Sequence, residues 1–233
     1  MAMVSRAQGK GVEYVLNSLV RGIDVRDNRV IIEVTRHGKR LNFEARAAVI
    51  ANGFGSRLSE ELGLGRVGDF VIGAQAVVET IGLDEIEVYF DQQTAPAFFA
   101  WLVPTSPPRA LAGLLSRRSP EVYLRKLISS LQAQGKITSA VAEPCYRGIS
   151  IKPLPRTYGD RLVVVGDAAG QVKPTTGGGI YYGLLCAEMA ASTLHQALES
   201  DDLSIQAMAD YEWRWRGKLG REQEIGYYTS KFY

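Results

Sequence analysis

The residues best suited to chemistry lie in one run, GDAAGQVKPTTGGGIYYG, which extends from Gly166 to Gly183. The apolar stretch RLVVVGD that leads into it is typical of a buried strand, and it would deliver the Asp167 carboxylate to the carboxyl edge of a parallel sheet, where open α/β folds bind their ligands. Pro174 and three consecutive glycines then precede a helical segment, so backbone N–H groups and the positive end of a helix dipole can approach a ligand closely. The spacing predicts a site for an electron-rich or anionic group.

A flavin has the chemistry that this run could bind. The Asp167 carboxylate would accept hydrogen bonds from the ribityl hydroxyls, and the helix N-terminus at Gly177 to Gly179 would stabilise the negative charge that reduction places on the ring. The alternative is structural, because a Gly-Asp pair often forms a turn after a strand and glycines often serve only tight helix packing. The full order of strand, carboxylate, proline, glycines and helix favours the flavin.

Four segments resemble one family of flavoproteins. The stretch GDRLVVVGDAAGQVKPTTGGGIYYGLLCAEMAA is similar to the second flavin-binding motif of the geranylgeranyl reductase family, in the group that includes p-hydroxybenzoate hydroxylase. FFAWLVP is similar to its YxWxFP substrate-domain motif, ADYEWRWRGKLGRE to its C-terminal YExxW helix, and AVIANGFGSRL to its vI-A-D-G-x-x-S segment near the cofactor. The resemblance covers nearly the whole chain in register.

The resemblance implies FAD as the cofactor, with NAD(P)H or another reductant as the source of electrons. The residues it places at the cofactor are Gly53, Gly166, Asp167, Pro174, Gly177, Gly178 and Gly179. It also implies a substrate pocket that includes Phe99, Trp101 and Pro104. The chain departs from the family pattern at Phe99, where the motif has Tyr, at Val103, where it has Phe, and at Asn52, where an acid is usual.

The elements that must position these residues follow from the local patterns. VEYVLNSLV predicts a helix, and RVIIEVTRHGKRLNFEARAAVI predicts a hairpin that turns at His37-Gly38. FVIGAQAVVET, IEVYF, AFFAWLV and RALAGLLS are runs of strand length that predict an antiparallel sheet walling a cavity. Ser119 is expected to cap a helix that ends at Gly135. Beyond the buried strand RLVVVGD, a long small-residue helix and a second, amphipathic helix are expected.

These patterns together predict an α/β (α+β) chain: a partial FAD/NAD(P)-binding fold with an antiparallel substrate-binding sheet and C-terminal helices. We expect three regions. Residues 1–66 form part of the FAD-binding domain, residues 67–150 form the substrate-binding sheet with its covering helix, and residues 151–233 return to the FAD-binding domain and add the C-terminal helices.

One part of such a fold is not found in the sequence. The pyrophosphate of FAD is usually held by a G-x-G-x-x-G turn between a strand and a helix. The segment GLGRVG, Gly63 to Gly68, fits these letters but follows a helical segment and precedes a strand. We therefore expect a chain that lacks its N-terminal dinucleotide-binding unit, which leaves self-association or a partner carrying that unit open.

The composition is that of a globular protein, since 46% of the 233 residues are hydrophobic and 22% are charged. A net charge of only +2, without a basic stripe, makes a nucleic-acid partner improbable. Cys145 and Cys186 lack CxxC spacing, and the N-terminus lacks the apolar core of a secretory signal, which predicts a cytoplasmic protein. Peripheral contact with a membrane stays open, because the family handles lipids. No metal-ligand spacing surrounds His37 or His195.

Three functions are compatible with these features. The leading one is reduction of a carbon–carbon double bond in an isoprenoid or similar apolar substrate. The second keeps the fold but makes the protein an aromatic hydroxylase, in which reduced flavin activates oxygen. The third is a non-catalytic fragment that works only with a partner. No sequence feature identifies a proton donor.

Overall fold

The computed structural model describes residues 2–231, and its chain divides into two compact units. The first extends to Ala48 and the second begins at Val49. Each unit is described by itself below, and the second contains every residue predicted to contact a cofactor or substrate.

The first unit is a short helix followed by a three-stranded antiparallel meander. Helix α1 is Ala2–Gln8, and the strands are β1 (Ser18–Val25), β2 (Val30–Arg36) and β3 (Lys39–Ala45), in the order β1-β2-β3. His37 and Gly38 connect β2 to β3, with φ angles of 48° and 76°. Positive φ at both turn residues is what a two-residue hairpin loop requires, so the predicted hairpin and its turn are confirmed.

The helix predicted over VEYVLNSLV is wrong. Most of this segment is irregular, and its last three residues, Ser18 to Val20, begin β1 and pair with β2. Asn17 has a φ of 55°, a left-handed conformation that a continuing helix cannot contain. Val20 lies in the extended strand, which β-branched residues favour, rather than on a helical face.

The second unit contains nine strands and five helices among its described residues. The strands are β4 (Ala48–Ile50), which crosses the boundary, β5 (Phe70–Thr80), β6 (Glu87–Tyr89), β7 (Ala100–Pro104), β8 (Arg109–Ser116), β9 (Ile137–Ala140), β10 (Cys145–Ser150), β11 (Tyr158–Gly159) and β12 (Leu162–Val164). The helices are α2 (Leu58–Glu61), α3 (Pro120–Ala133), α4 (Ile180–Glu199), α5 (Ile205–Trp215) and α6 (Arg221–Thr229). A 3₁₀ turn, Gly166–Ala169, follows β12, and a π-helical turn, Arg216–Gly220, joins α5 to α6.

The predicted antiparallel sheet is confirmed. Its order is β10-β5-β8-β7-β6, and β9 pairs with the second half of β5. Helix α3 covers one face with Leu124, Leu127 and Leu131, which are fully buried at helical spacing against small and branched residues of the strands. Phe99 and Trp101 pack with Leu115 in a separate apolar cluster.

The start of α3 differs from the prediction. Ser119 has a φ of 47° and its side chain caps nothing, while its carbonyl accepts hydrogen bonds from the N–H groups of Val122 and Tyr123. Pro120 fixes the first helical residue, as expected. The predicted stop at Gly135 is confirmed, since this residue follows the helix with a φ of 70°.

The strand that leads to Asp167 lies in a small sheet of order β11-β12-β4. All three residues of β12 are buried, as predicted. Its pairing with β11 is antiparallel, because only a two-residue turn separates these strands, so the expected sheet is not purely parallel. On its other side the Val165 N–H donates to the Ile50 carbonyl and ties the carboxyl end of β12 to β4.

Candidate functional site

Asp167 lies at the surface immediately after β12. Gly166 takes a φ of 70°, a conformation that glycine adopts without a steric penalty, and the chain then turns through the 3₁₀ segment. The two alanines that follow are buried, so the turn is anchored while the Asp167 side chain faces outward. The carboxylate is therefore available to a ligand on a rigid support.

A buried glutamine holds this turn from the inside. The side-chain Oε1 of Gln171 accepts the Gly166 N–H at 2.8 Å, and its Nε2 donates to the Tyr211 hydroxyl oxygen at 2.7 Å. The Tyr211 O–H in turn donates to the Val164 carbonyl at 2.9 Å. Because both side chains are fully buried, water cannot reach their polar atoms, and these hydrogen bonds satisfy them instead. The chain of bonds fixes β12 and the turn as one piece.

The residues of the YExxW motif support the same turn from α5. Tyr211 closes the bonds just described, and Glu212 accepts hydrogen bonds from the Thr157 N–H and hydroxyl at 2.7 and 2.9 Å. Trp215 is fully buried, and its indole N–H donates to the Thr157 hydroxyl oxygen at 2.9 Å. Three residues on one face of α5 thus hold the strands that carry Asp167. Trp213, by contrast, is 78% exposed and belongs to no such contact.

The loop between the turn and α4 closes on itself. The Lys173 N–H donates to the Gly178 carbonyl at 3.0 Å, and the Gly177 N–H donates to the Lys173 carbonyl at 2.9 Å. Pro174 is buried within this loop, and Gly178 is exposed at its tip. Helix α4 begins directly afterwards, with Gly179 as its N-cap, as the sequence predicted. We refer to residues 170–179 as the glycine loop.

The glycine loop lies close to its neighbours at three of its glycines. A Cβ on Gly170, whose φ is 70°, would lie 2.6 Å from the Lys152 carbonyl oxygen. A Cβ on Gly179 would lie 2.5 Å from Oδ1 of Asp167. A Cβ on Gly177, whose φ is 69°, would lie 3.0 Å from Cδ1 of Leu115 on the six-stranded sheet. The structure therefore brings the carboxylate, the helix N-terminus and the sheet together around a backbone surface.

The predicted cofactor residues Gly53 and Asp167 line one narrow cleft. Asn52 and Ser56, from the segment matched to the family's acid-Gly motif, lie in the same cleft. Gly65 and Arg66 of GLGRVG also line it, although this segment follows α2 and precedes β5, the order that excluded it as a phosphate turn. Segments more than a hundred residues apart in sequence therefore meet at Asp167.

An apolar cavity of about 450 Å³ lies between the glycine loop and the segment that leads into β7 of the six-stranded sheet. Its walls are Phe90, Asp91, Gln92, Ala97, Phe98, Phe99, Thr175, Thr229 and Ser230. Phe99 is a predicted pocket residue, and Thr175 lies in the glycine loop. The cavity thus brings a predicted substrate residue and the predicted cofactor loop onto one surface.

Two other predicted pocket residues lie away from the walls of this cavity. Trp101 contacts Phe99, with ring centroids 5.9 Å apart, and donates its indole N–H to Gln75 at 3.3 Å. Its ring packs over Gly113, where a Cβ would lie 2.5 Å from the indole. Pro104 ends β7 opposite Ala110. Trp101 supports Phe99 from the side, and Pro104 lies further along the strand.

Several residues at the site gave no sequence signal. Thr229 and Ser230 reach the cavity only because α6 returns to the sheet, and Gln223 is buried against the glycine loop. Gln171 stands within the motif, yet its role depends on a partner forty residues away. The position of Gln171 between Gly170 and Val172, directly after the buried alanines, is the signal that could have indicated it.

The two cysteines differ in environment. Cys145 is exposed, whereas Cys186 is buried in α4, and burial raises the pKa of its thiol to about 12. No group of three or more acidic, histidine or cysteine side chains that could hold a metal occurs among residues 2–231. Within the same residues, no helix has the length and apolar content needed to cross a bilayer.

No family model matches the chain. It is 30% identical over 246 aligned residues to digeranylgeranylglycerophospholipid reductase 2 of Methanopyrus kandleri, and the match covers 99% of this chain and 62% of that protein. The chain therefore spans about three fifths of the length of this relative.

The fold is shared with solved flavoprotein structures. A geranylgeranyl bacteriochlorophyll reductase-like protein from Thermoplasma acidophilum superimposes with a TM-score of 0.88 at 22% identity, over 99% of this chain and 61% of that one. The OxyS anhydrotetracycline hydroxylase from Streptomyces rimosus has a TM-score of 0.70 at 16% identity, over 98% and 47% of the two chains. With the motifs in register along its length, this chain is similar to the digeranylgeranylglycerophospholipid reductases and has the fold of the FAD-dependent oxidoreductases.

Proposed function

We propose that this chain forms the flavin-contacting and substrate-side part of an FAD-dependent reductase that saturates carbon–carbon double bonds of an isoprenoid or other apolar chain. The observation that carries the proposal is the shared cavity. Thr175 of the glycine loop and Phe99 of the substrate sheet line the same apolar space. A cofactor held at the loop and an apolar chain held by the phenylalanines would therefore be neighbours.

The residues at the loop fit a flavin. The Gly179 backbone leaves no room for a side chain beside Asp167, so the exposed carboxylate and the first N–H groups of α4 share one surface. Asp167 would accept hydrogen bonds from ribityl hydroxyls, and the N-terminal end of α4 would favour negative charge on the ring. Gly53 and Gly166 would admit the cofactor without steric conflict. Pro174, Gly177 and Gly178 would shape the loop around it.

FAD, reduced by NAD(P)H or another reductant, would supply the hydride for the reaction. The chain's own residues would bind and orient the substrate. Phe90, Phe98 and Phe99 give the cavity a largely aromatic wall, which favours an apolar chain over a charged group. Trp101 would keep the Phe99 ring in place. Asp91 and Gln92 follow Phe90 at the cavity, where a polar part of the substrate could lie.

The substrate class also rests on the relatives. The Methanopyrus kandleri protein is a reductase named for a digeranylgeranylglycerophospholipid, an apolar isoprenoid lipid. We propose a substrate of the same apolar kind, taken from a membrane surface by peripheral contact from a cytoplasmic protein. A partner that contributes a dinucleotide-binding unit would complete the cofactor site. Self-association is the alternative mode of assembly.

The second candidate is an aromatic hydroxylase, which the fold shared with the OxyS hydroxylase favours. The two functions differ in their products. The chain would be fused to the dinucleotide-binding unit of a related reductase, loaded with FAD, chemically reduced, and given an isoprenoid lipid or a phenol with and without oxygen. A mass gain of two hydrogens under anaerobic conditions supports the reductase. A gain of one oxygen atom that requires O₂ supports the hydroxylase and contradicts our proposal.

A further inference from the structure

Helix α6 lies along the glycine loop and touches it with one face. Glu222, Gly226 and Thr229 follow the i, i+4, i+7 spacing of neighbours on a helix surface, and Gln223 lies three residues before Gly226 beside them. Each of them meets the loop or the cavity beside it. Glu222 ends the segment that resembles the YExxW helix, and the other three residues lie beyond every motif that the sequence identified.

Gln223 makes the most specific contact. Its side chain is 3% exposed, and Nε2 donates to the carbonyls of Gly170 and Val172, both at 3.1 Å. These two carbonyls flank Gln171, whose side chain holds the Gly166 N–H. A buried carbonyl without a donor is costly, so two carbonyls held by one side-chain amide fix the backbone at the base of the loop.

Gly226 lets the helix approach the middle of the loop. A Cβ there would lie 3.3 Å from Cδ of Pro174, a tight contact with a ring atom, and 3.5 Å from Cγ2 of Thr175, an ordinary van der Waals distance. Glu222 pairs with Lys173 at 3.0 Å, and this half-exposed ion pair adds alignment more than stability. The same helix ends at Thr229, which lines the cavity together with Thr175.

We propose that Gln223 is a positioning residue that acts from α6 to hold the glycine loop in its cofactor-binding shape. The inference rests on the proposed function for its link to the cofactor, but its structural part concerns the loop alone. Gln223 does not touch the Asp167 carboxylate. It holds the carbonyls on either side of Gln171, and through them the backbone that presents Asp167 and Gly179.

The experiment uses the 233-residue chain and its Gln223→Met variant, which keeps the length of the side chain and removes the donor. Amide hydrogen exchange is measured at Lys173 and Gly177, whose N–H groups close the loop. We expect exchange there to accelerate at least about tenfold, while amides at Leu127 and Leu131 in α3 keep their rates. Gln206→Met, at an exposed position of α5, is the matched control and should change neither group of amides.

Unchanged exchange at Lys173 and Gly177 would overturn the proposal, and so would an equal acceleration of α3. If Gln223→Met does not fold, Gly226→Ala decides the question, because its Cβ presses on Pro174 while leaving the α6 hydrogen bonds intact. That variant is expected to accelerate the same loop amides. If folded Gly226→Ala exchanges its loop amides at the rate of the unsubstituted chain, contact with α6 does not hold the glycine loop.

Flavin binding gives the second readout. In the chain fused to a dinucleotide-binding unit, Gln223→Met should weaken FAD binding at least about fivefold and alter the visible absorbance envelope of the bound flavin, whereas Gln206→Met should do neither. Equal affinity and spectrum despite a loosened loop would overturn the link from Gln223 to the cofactor. If the unsubstituted fusion binds no FAD, the proposed function fails, and hydrogen exchange alone then decides whether Gln223 holds the loop.

Discussion

Asp167 stands out as a residue because its exposed carboxylate lies beside the N-terminus of α4. A Cβ on Gly179 would lie 2.5 Å from Oδ1, and Asp167 lines a cleft together with Gly53 and Arg66. An exposed acid on a fully anchored turn is suited to accept hydrogen bonds from a ligand rather than to stabilise the fold. Its contribution should therefore appear in binding and not in folding.

Asp167→Ala is expected to weaken FAD binding by about 1.5 to 3 kcal/mol, the usual size of a hydrogen bond to a charged group. Affinity would be measured by fluorescence titration of the chain fused to a dinucleotide-binding unit. Asp84→Ala, at an exposed loop position, serves as the control and should bind like the unsubstituted protein. Equal affinity in Asp167→Ala would remove Asp167 from the cofactor site.

Gly178 and Gly177 should respond differently to the same substitution. A Cβ on Gly178 meets only the Thr176 hydroxyl, at 3.2 Å, and the residue is exposed, so Gly178→Val should fold with unchanged thermal stability. Its branched side chain would still intrude between the backbone and a flavin ring, and flavin occupancy measured by absorbance should fall. A folded Gly178→Val variant with full occupancy would contradict this geometry.

Gly177→Val is the counterpart, because its φ of 69° and its contact with Leu115 make the side chain strained as well as crowded. This variant should lose stability in a denaturant titration even without flavin. The pair separates a glycine needed for the ligand from a glycine needed for the fold.

At the residue scale, the sequence predicted what depends on nearby positions. Asp167, Pro174 and the glycines were recognisable because strand, turn and helix follow one another directly. Gln171 and Gln223 were not, since each satisfies groups on a distant segment: Gln171 meets Tyr211, and Gln223 meets Gly170 and Val172. A lone glutamine in a polar run such as REQE carries no such information.

Helix α5 acts as an element by tying two strands through three polar groups. Tyr211 reaches the Val164 carbonyl, while Glu212 and Trp215 both meet Thr157 just before β11. Thr157 is itself fully buried, so its hydroxyl and N–H depend on α5 for partners. The polar residues of the YExxW motif therefore stabilise the support of the site rather than its surface.

Tyr211→Phe is expected to destabilise the chain by about 1 to 3 kcal/mol, because the Val164 carbonyl and the Gln171 amide would lose their buried partner. The free energy of unfolding would be measured with denaturant. Tyr228→Phe is a matched control, since Tyr228 is 55% exposed and its hydroxyl has access to water. A loss in Tyr211→Phe no larger than in Tyr228→Phe would show that water replaces the bond.

The elements themselves were largely predictable, with informative exceptions. Four strands of the six-stranded sheet, β5 to β8, follow from apolar runs divided by turn residues, whereas β9 and β10 were not predicted. Helix α3 follows from Pro120 at its start and Gly135 after its end. VEYVLNSLV failed because a short segment with apolar residues at mixed spacing fits a helix or a strand, and pairing with β2 decided it. The Ser119 cap failed because a left-handed backbone turned its hydroxyl away.

The second unit as a whole exposes apolar side chains where α4 begins. Ile180, Tyr181 and Leu184 are 84%, 67% and 51% exposed, directly after the glycine loop. Residues 2–231 also contain no strand–GxGxxG–helix turn that could hold a pyrophosphate, since GLGRVG lies between α2 and β5. Contacts to the ribityl chain and ring would then have to hold FAD without contacts to its phosphates.

The 233-residue chain is accordingly expected to purify colourless or with weakly held FAD, without reductase activity, and to self-associate through apolar surface. Flavin titration and sedimentation would be measured for the chain alone and after fusion to the dinucleotide-binding unit of a related reductase. The fusion should bind more tightly. Tight, stoichiometric FAD binding by the chain alone would show that another segment, such as GLGRVG, meets the phosphates.

The π-helical turn at Arg216–Gly220 joins α5 to α6 without a break and sets the rotation of one helix relative to the other about their common axis. Upstream, α5 grips the strands with Tyr211 and Trp215, and downstream, α6 meets the glycine loop with Gln223. Each helical residue rotates the chain by about 100°, and a π turn accommodates one extra residue. Removing a single residue from this turn would leave the contacting residues of α5 and α6 unchanged. It would rotate Gln223 about a quarter of a turn away from the Gly170 and Val172 carbonyls. The length of this turn therefore decides whether α5 can contact the strands while α6 contacts the glycine loop.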